Sequence, residues 1–384
     1  MANIVVVRHE IEHPALFGAA AALIAAERGA EVFSPAATFN LDRYPDAVQH
    51  VADEGALIPS GLIWVDRLTG RQARQLSDYD GSGPAVVPFH SAFLADPNAI
   101  AALIASGAEE IVVTLANDRF VDGTGRVIGW RDRHGRVLPK APDPASPSGL
   151  VFAIAGPERQ FLDTCPAPLA ALVDAIEVAA PGSEIRYLDP RHLPKDPLEG
   201  IDGVLLPGGS EMSAVAGQVA LAQAARLVGR PIVGLCLGMQ SMSTAAARAL
   251  PGWTDTDMAE AAPTAARHSF VRIETGEHRL GLKTATTAKG SRLAGLLGPE
   301  TDIACNHRFR LAPALHEGLA TVGVRIVALG GLPGQDIADA IEADEGFYMG
   351  MQGHPELGSR QGAPHPLIKA FVAATMKDAR AKRA

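Results

Sequence analysis

Short apolar runs alternate with longer alanine-rich or amphipathic stretches along most of the chain. The runs "NIVVV" (3–7), "AEVFSP" (30–35), "AVVPF" (85–89) and "EEIVVTL" (109–115) read as buried strands. Between them, "ALFGAAAALIAAERG" (15–29) and "PNAIAALIASG" (97–107) carry helix-forming residues and end on glycine. This order predicts βαβ units on a parallel sheet. The stretch 119–139, "RFVDGTGRVIGWRDRHGRVLP", alternates around glycine turns, as hairpins do. After residue 149 the alternation resumes. Strands are predicted at "GLVFAIAG" (149–156), "EIRYLD" (184–189), "GVLLPGG" (203–209) and "PIVGL" (231–235), with helices at "APLAALVDAIEVA" (167–179) and "GQVALAQAARLVG" (217–229).

The segment 138–149, "LPKAPDPASPSG", interrupts both patterns with four prolines in a polar context and reads as a linker. A chain of 384 residues is long for one core. The expectation is therefore two α/β domains, 1–140 and 150–384, joined by residues 141–149. No internal repeat is evident.

Composition narrows the function classes. With Lys+Arg at 34 against Asp+Glu at 43 and a net charge of −9, no basic footprint for nucleic acid is expected. The alanine-rich stretch near the start is broken by Glu27 and Arg28, and no segment has the length of a membrane span. The start, "MANIVVVRHEIEHP", is too quickly charged for a signal peptide. Cys165, Cys236 and Cys305 are scattered, with neither a CxxC pair nor a paired framework, so neither a zinc site nor a disulfide scaffold is expected and a cytoplasmic setting fits.

One cysteine stands at a sharp corner. In "IVGLCLGMQ" (232–240), Cys236 follows a buried run and precedes the helix-forming "GMQSMSTAAARAL", with Gly234 and Gly238 on either side. Small residues flanking a nucleophile let the chain bend between strand and helix, as in G-x-S-x-G elbows. A helix N-terminus favours the thiolate, the attacking form. The N–H of Leu237 would stand beside the sulfur as an oxyanion donor. Two further motifs complete the chemistry. "GVLLPGGSEM" (203–212) ends a strand in glycines whose N–H groups can face a substrate oxygen. "GMQGHPEL" (350–357) places His354 and Glu356 two apart, so that the carboxylate can orient an imidazole that moves the thiol proton. Each motif alone is ordinary; a buried thiol, a glycine turn and a surface His-Pro-Glu are common.

Together, in the order Cys, His, Glu, they resemble the class I glutamine amidotransferases. "PIVGLCLGMQ", "HRLGLKTA" (278–285), "NHRFRLAP" (306–313), "WTDTDM" (253–258) and "GHPELGSRQGAPHPLIKAFVAA" (353–374) are similar to the glutaminase domain of CTP synthase, over roughly 150–384. The resemblance implies a flavodoxin-like fold for that region and a triad of Cys236, His354 and Glu356. It further implies oxyanion donors at Gly209 and Leu237, and glutamine contacts from Gln240, Asp257 and Arg308. An α-amino acid needs one anionic and one cationic partner, which Asp257 and Arg308 would supply. The implied reaction hydrolyses L-glutamine to glutamate and ammonia through a Cys thioester. It needs no metal or cofactor. Ammonia would pass to an acceptor on the N-terminal domain or to a synthetase partner, and a homo-oligomer is allowed.

This sequence departs from the family at three places. Gln361 stands where a proline is usual, and Ser210 replaces an aromatic in the lid "GGSEMSAVAG" (208–217), which also lacks the family's arginine. Residues 1–140 hold no G-x-x-x-x-G-K-[ST] phosphate loop, so CTP synthesis is not expected of them. The alternative reading is a stand-alone γ-glutamyl amide hydrolase with the same triad; a regulatory binding protein with a dead site fits an intact triad poorly. In the N-terminal region, His9, Glu10, Glu12 and His13 form a polar strand-to-helix loop rather than an expected metal cluster. His90 in "PFHSAF" (88–93) stands at another strand end that could border the same cleft.

Overall fold

The computed structural model describes residues 4–142, 146–209, 211–331, 335–360 and 363–383. Ser210, Gln361 and the middle of the Pro-rich stretch, 143–145, lie outside the described residues. The chain divides into two compact units. The first comprises Met1–Pro144, Arg159–Asp174 and Ser359–Ala363; the second comprises Ala145–Glu158, Ala175–Gly358 and Pro364–Ala384.

The first unit contains β1 (Ile4–His9), α1 (Ala19–Arg28), β2 (Glu31–Ser34), β3 (Ala52–Asp53), β4 (Ala56–Leu57), α2 (Ile63–Thr69), β5 (Arg74–Gln75), β6 (Ala85–Phe89), α3 (Pro97–Ala105), β7 (Glu109–Ala116), β8 (Arg119–Asp122), β9 (Val127–Arg131) and β10 (Val137–Leu138). Its eight-stranded sheet runs β10-β9-β8-β7-β1-β6-β2-β5. β1 pairs in parallel with β6 on one side and β7 on the other, so Val5, Val6 and Val7 are buried from both faces. The predicted hairpins follow β7 as an antiparallel meander, β7-β8-β9-β10. α1 starts later than its alanine-rich pattern, because Pro14–Leu16 forms a 3-10 turn ahead of it. Its residues Ala19–Ala25 are all buried, and Gly29, at φ 63°, ends it.

The remaining elements are β11 (Val151–Ala155), α4 (Glu158–Thr164), α5 (Pro166–Ala179), β12 (Glu184–Leu188), β13 (Gly203–Leu206), α6 (Val215–Leu227), β14 (Ile232–Leu235), α7 (Leu237–Ala247), β15 (Asp257–Met258), β16 (His268–Arg272), β17 (Arg279–Thr287), α8 (Arg292–Leu297), β18 (Glu300–His307), β19 (Phe309–Leu311), α9 (Gly318–Thr321), β20 (Val324–Gly330), β21 (Ile337–Ala343), β22 (Tyr348–Met351) and α10 (Pro366–Arg383). The second unit is built on a nine-stranded sheet, β12-β11-β13-β14-β22-β21-β20-β17-β18. Its first five strands are parallel and the rest antiparallel. β14, whose four residues are all buried, lies between β13 and β22. A small three-stranded sheet, β15-β16-β19, packs on α7. Among the described residues no helix is long and apolar enough to cross a membrane.

Candidate active site

Cys236 is the residue between β14 and α7 and caps that helix. Its backbone adopts φ 48°, ψ −109°, a conformation that L-residues rarely occupy and that neighbouring structure must enforce. Two bonds do so: the Cys236 N–H donates to the Met351 carbonyl at 2.8 Å, and its own carbonyl accepts from Gln240 N–H at 3.1 Å. The flanking glycines are sterically required. A Cβ on Gly234 would lie 2.6 Å from the Gly238 carbonyl carbon, and one on Gly238 would overlap the Leu206 carbonyl of β13. The turn closes only because both residues lack side chains.

His354 and Glu356 follow β22, the strand beside β14. His354 is anchored by its N–H to the Ala304 carbonyl, 2.8 Å. Its Nδ1 donates to Glu356 Oε1 at 2.7 Å, which leaves Nε2 for the thiol, and the Cys236 thiol is its hydrogen-bond partner. All three side chains are buried. Burial works against the charged ring, but the Glu356 carboxylate and Cys236 outweigh it, and the His354 pKa is pushed up to about 10. The other two thiols are insulated: burial pushes Cys165 up to about 11 and Cys305 up to about 12.

Leu237 opens α7, Gly209 lies three residues beyond the end of β13, and Gln240 lies in the first turn of α7, buried. The glycine pressed against the triad is Gly208. A Cβ there would lie 3.0 Å from His354 Nε2 and 3.2 Å from Cys236 Cβ, whereas one on Gly209 meets nothing within 4 Å.

Arg308 falls between β18 and β19, where the chain leaves the large sheet for the small one. The residue before it but one, Asn306, turns its carbonyl to the Cys236 sulfur at 4.0 Å. Asp257 is engaged elsewhere: it accepts from Arg248 Nη2 at 3.1 Å and from the Met258 N–H at 2.8 Å. A residue that the sequence reading passed over, Glu260, lies within electrostatic reach of Arg308 and Arg272; burial nevertheless raises its pKa. No motif marks it, because its relation to Arg308 arises only when the loop after β15 folds back.

In the first unit, His9 and His90 lie side by side with ring centroids 5.1 Å apart, both buried. Burial, with His90 adding to it, pushes His9 down to about 3. Glu12 pairs with Arg43 at 2.6 Å. Glu10, Glu12 and His13 line a cavity of about 530 Å³ with Asn117, Asp118 and Arg131. Among the described residues no group of three or more His, Cys, Asp or Glu is placed to hold a metal ion.

A cysteine on a strand–helix elbow, with a histidine and a carboxylate at the end of the neighbouring parallel strand, defines the second unit as an α/β unit of the Cys–His–Glu kind. The chain belongs to the class I glutamine amidotransferases: the family model "Glutamine amidotransferase class-I" matches residues 171–374. CTP synthase of Methylorubrum populi is 34% identical over 204 residues, covering 48% of this chain and 37% of that protein. CTP synthase of Maricaulis maris is 30% identical over 275 residues, covering 62% of this chain and 50% of that protein. The chain thus spans between about a third and a half of the length of these curated relatives. Among solved structures, the glutaminase domain of Trypanosoma brucei CTP synthase with bound acivicin aligns with a TM-score of 0.54 at 23% identity, over 59% of this chain and 94% of that one. That likeness supports the flavodoxin-like fold of the second unit.

Proposed function

We propose that this chain hydrolyses L-glutamine to glutamate and ammonia through a thioester on Cys236. The observation that carries the reading is the strained elbow at Cys236 with the buried, carboxylate-held His354 beside it. With the proton on His354, the sulfur attacks the side-chain amide carbon as thiolate. The Gly209 and Leu237 N–H groups hold the oxyanion. His354 gives its proton to the leaving nitrogen, the C–N bond breaks and ammonia departs. Water then adds to the thioester carbon and passes a proton back to His354; the C–S bond breaks and glutamate is released.

Arg308 takes the α-carboxylate, Gln240 contacts the substrate from the first turn of α7, and an acidic group of the segment 257–260 takes the α-ammonium. The domain division is proposed as 1–140, linker 141–149 and 150–384. Ammonia passes to an acceptor on the N-terminal domain or to a partner enzyme, in a cytoplasmic setting, with no cofactor. The test is steady-state release of glutamate and ammonia from glutamine, with and without GTP, candidate acceptors and cell extract, and beside a panel of γ-glutamyl amides. Glutamine turnover that rises with an acceptor supports the proposal. Full acceptor-independent turnover, with another γ-glutamyl amide preferred, moves the reading to a hydrolase. Because the lid "GGSEMSAVAG" departs from the family, GTP should not stimulate; strong activation by GTP would refute that inference.

A further inference from the structure

A buried ion pair lies behind the site, outside the triad and outside every substrate contact proposed above. Arg279 opens β17 and Asp339 lies on β21. Their side chains form a two-pronged fork, Nη1 to Oδ1 at 2.6 Å and Nη2 to Oδ2 at 3.0 Å, with 2% and 0% of the side chains exposed. Burying two charges is expensive, and an apolar pair of the same size would hold a core equally well. What the fork adds is direction: two parallel bonds fix one strand's position against another.

The fork bridges a gap in the sheet. β17 pairs with β20 only through Thr286 and Thr287. From Arg279 to Thr286 it pairs with β18, as a ribbon ending at Arg279 opposite His307. At that end the Arg279 side chain reaches over Gly330 to β21. A Cβ on Gly330 would overlap the Asp339 carboxylate and lie 2.9 Å from Arg279 Nη2, so the fork occupies space that only a glycine leaves open. His307 seals the same end. Its Nδ1 donates to the Phe309 carbonyl at 2.9 Å, which leaves the Nε2 lone pair toward Arg279 Nη1 at 3.4 Å.

Both sides of this staple reach the catalytic centre. On the ribbon side, β18 carries the Ala304 carbonyl that holds His354 N–H and the Asn306 carbonyl that faces the Cys236 sulfur, and it leads directly into Arg308. On the other side, the Asp339 carbonyl accepts from Gln352 N–H at 2.8 Å, two residues before His354.

We propose that the Arg279–Asp339 pair is a positioning device: it locks the β17–β18 ribbon, and with it Asn306 and Arg308, to the strands that carry His354. The inference rests on the glutamine chemistry proposed for Cys236. Because the bond that orients the His354 ring, to Glu356, lies within its own segment, the pair's effect falls mainly on how the substrate is held and less on the reactivity of the thiol.

The experiment compares two electrophiles on the full chain. Iodoacetamide needs only the Cys236 sulfur; a chloromethyl ketone built on the glutamine backbone also needs the α-amino acid contacts. The double variant Arg279→Met/Asp339→Leu removes both charges without leaving one buried alone. It should keep its melting temperature within a few degrees and react with iodoacetamide within about two-fold of wild type. Its labelling by the glutamine chloroketone should slow at least about ten-fold, and KM for glutamine should rise by a similar factor. Arg279→Lys keeps the charge but not the fork. It should show the same selective loss in smaller measure, and it decides the matter if the double variant does not fold. Chloroketone labelling and KM within two-fold of wild type in either folded variant would overturn the proposal. A wild-type chain that shows no preference for the chloroketone over iodoacetamide would overturn the glutamine reading, and this inference with it.

Discussion

Gly208 and His354 share one space: a Cβ on Gly208 would overlap His354 Cε1 and lie 3.0 Å from its Nε2. The imidazole can face Cys236 only because the strand-end residue opposite has no side chain. Gly208→Ala must displace His354 or the backbone after β13. Overpacking of this kind costs about 1–3 kcal/mol. We expect a folded protein in which acylation of Cys236 falls at least about ten-fold, read by the burst of ammonia in single-turnover assays. Gly209→Ala meets no neighbour but is strained by its own φ of 159°, so its loss of activity should leave the His354 ring undisturbed; a shift in the His354 titration in the Gly209 variant as large as in Gly208→Ala would show that Gly209 is also packed on the triad.

Cys236→Ser should abolish glutamine hydrolysis and leave the fold intact, since a hydroxyl lacks the thiolate's nucleophilicity. Peptide mapping after treatment with a glutamine-analogue electrophile should find label on Cys236 and none on Cys165 or Cys305, whose thiols burial holds protonated to about 11 and about 12. Appreciable ammonia release by the serine variant would exclude Cys236 as the nucleophile.

His354→Ala should lose thioester formation, and Glu356→Ala should be less damaging by roughly two orders of magnitude, because the carboxylate orients the ring while the ring moves the proton. The pH dependence has a definite sign. A folded-state pKa of about 10, above the ordinary 6.5, keeps the ring charged at neutral pH. The proton needed by the leaving ammonia is therefore present below about 10 and lost above it, so kcat should fall as pH rises through that value. The ring's contribution to stability follows the same course: complete below 6.5 and lost as pH passes about 10. A kcat that declines already between pH 6 and 7 would show that the ring is not held charged.

Arg308→Ala should raise KM for glutamine more than it lowers kcat, by the roughly 1.5–3 kcal/mol of a charged hydrogen bond. For the α-ammonium the structure sets two acids against each other. Asp257 is already paired with Arg248, whereas Glu260 stands within reach of Arg308. We expect Glu260→Gln to raise KM more than Asp257→Asn does. The opposite order would mean that Asp257 exchanges Arg248 for the substrate.

Local pattern alone determined the strand and helix order as far as α7, apart from β3, β4, α2, β5 and α4, together with the corner at Cys236 and the spacing of His354 and Glu356; it left α8, α9 and β20–β22 unread. These depend on neighbours in sequence: apolar runs make buried strands, glycines at 234 and 238 permit one tight bend, and a spacing of two keeps Glu356 within reach of His354, although it is the 3-10 turn Pro355–Gly358, not extended chain, that brings the carboxylate onto the ring. The segments between β15 and β19 were legible only as similar stretches, because their strands are short and half-buried and pair with distant partners. Tertiary structure decided everything that depends on which distant groups meet. It set Gly208 rather than Gly209 against the triad, drew Asp257 to Arg248, and brought Glu260 within reach of Arg308. It also closed Arg279 onto Asp339 across Gly330. Charge pairing and steric exclusion act through space, and their partners are selected by strand register, which no stretch of these residues encodes by itself.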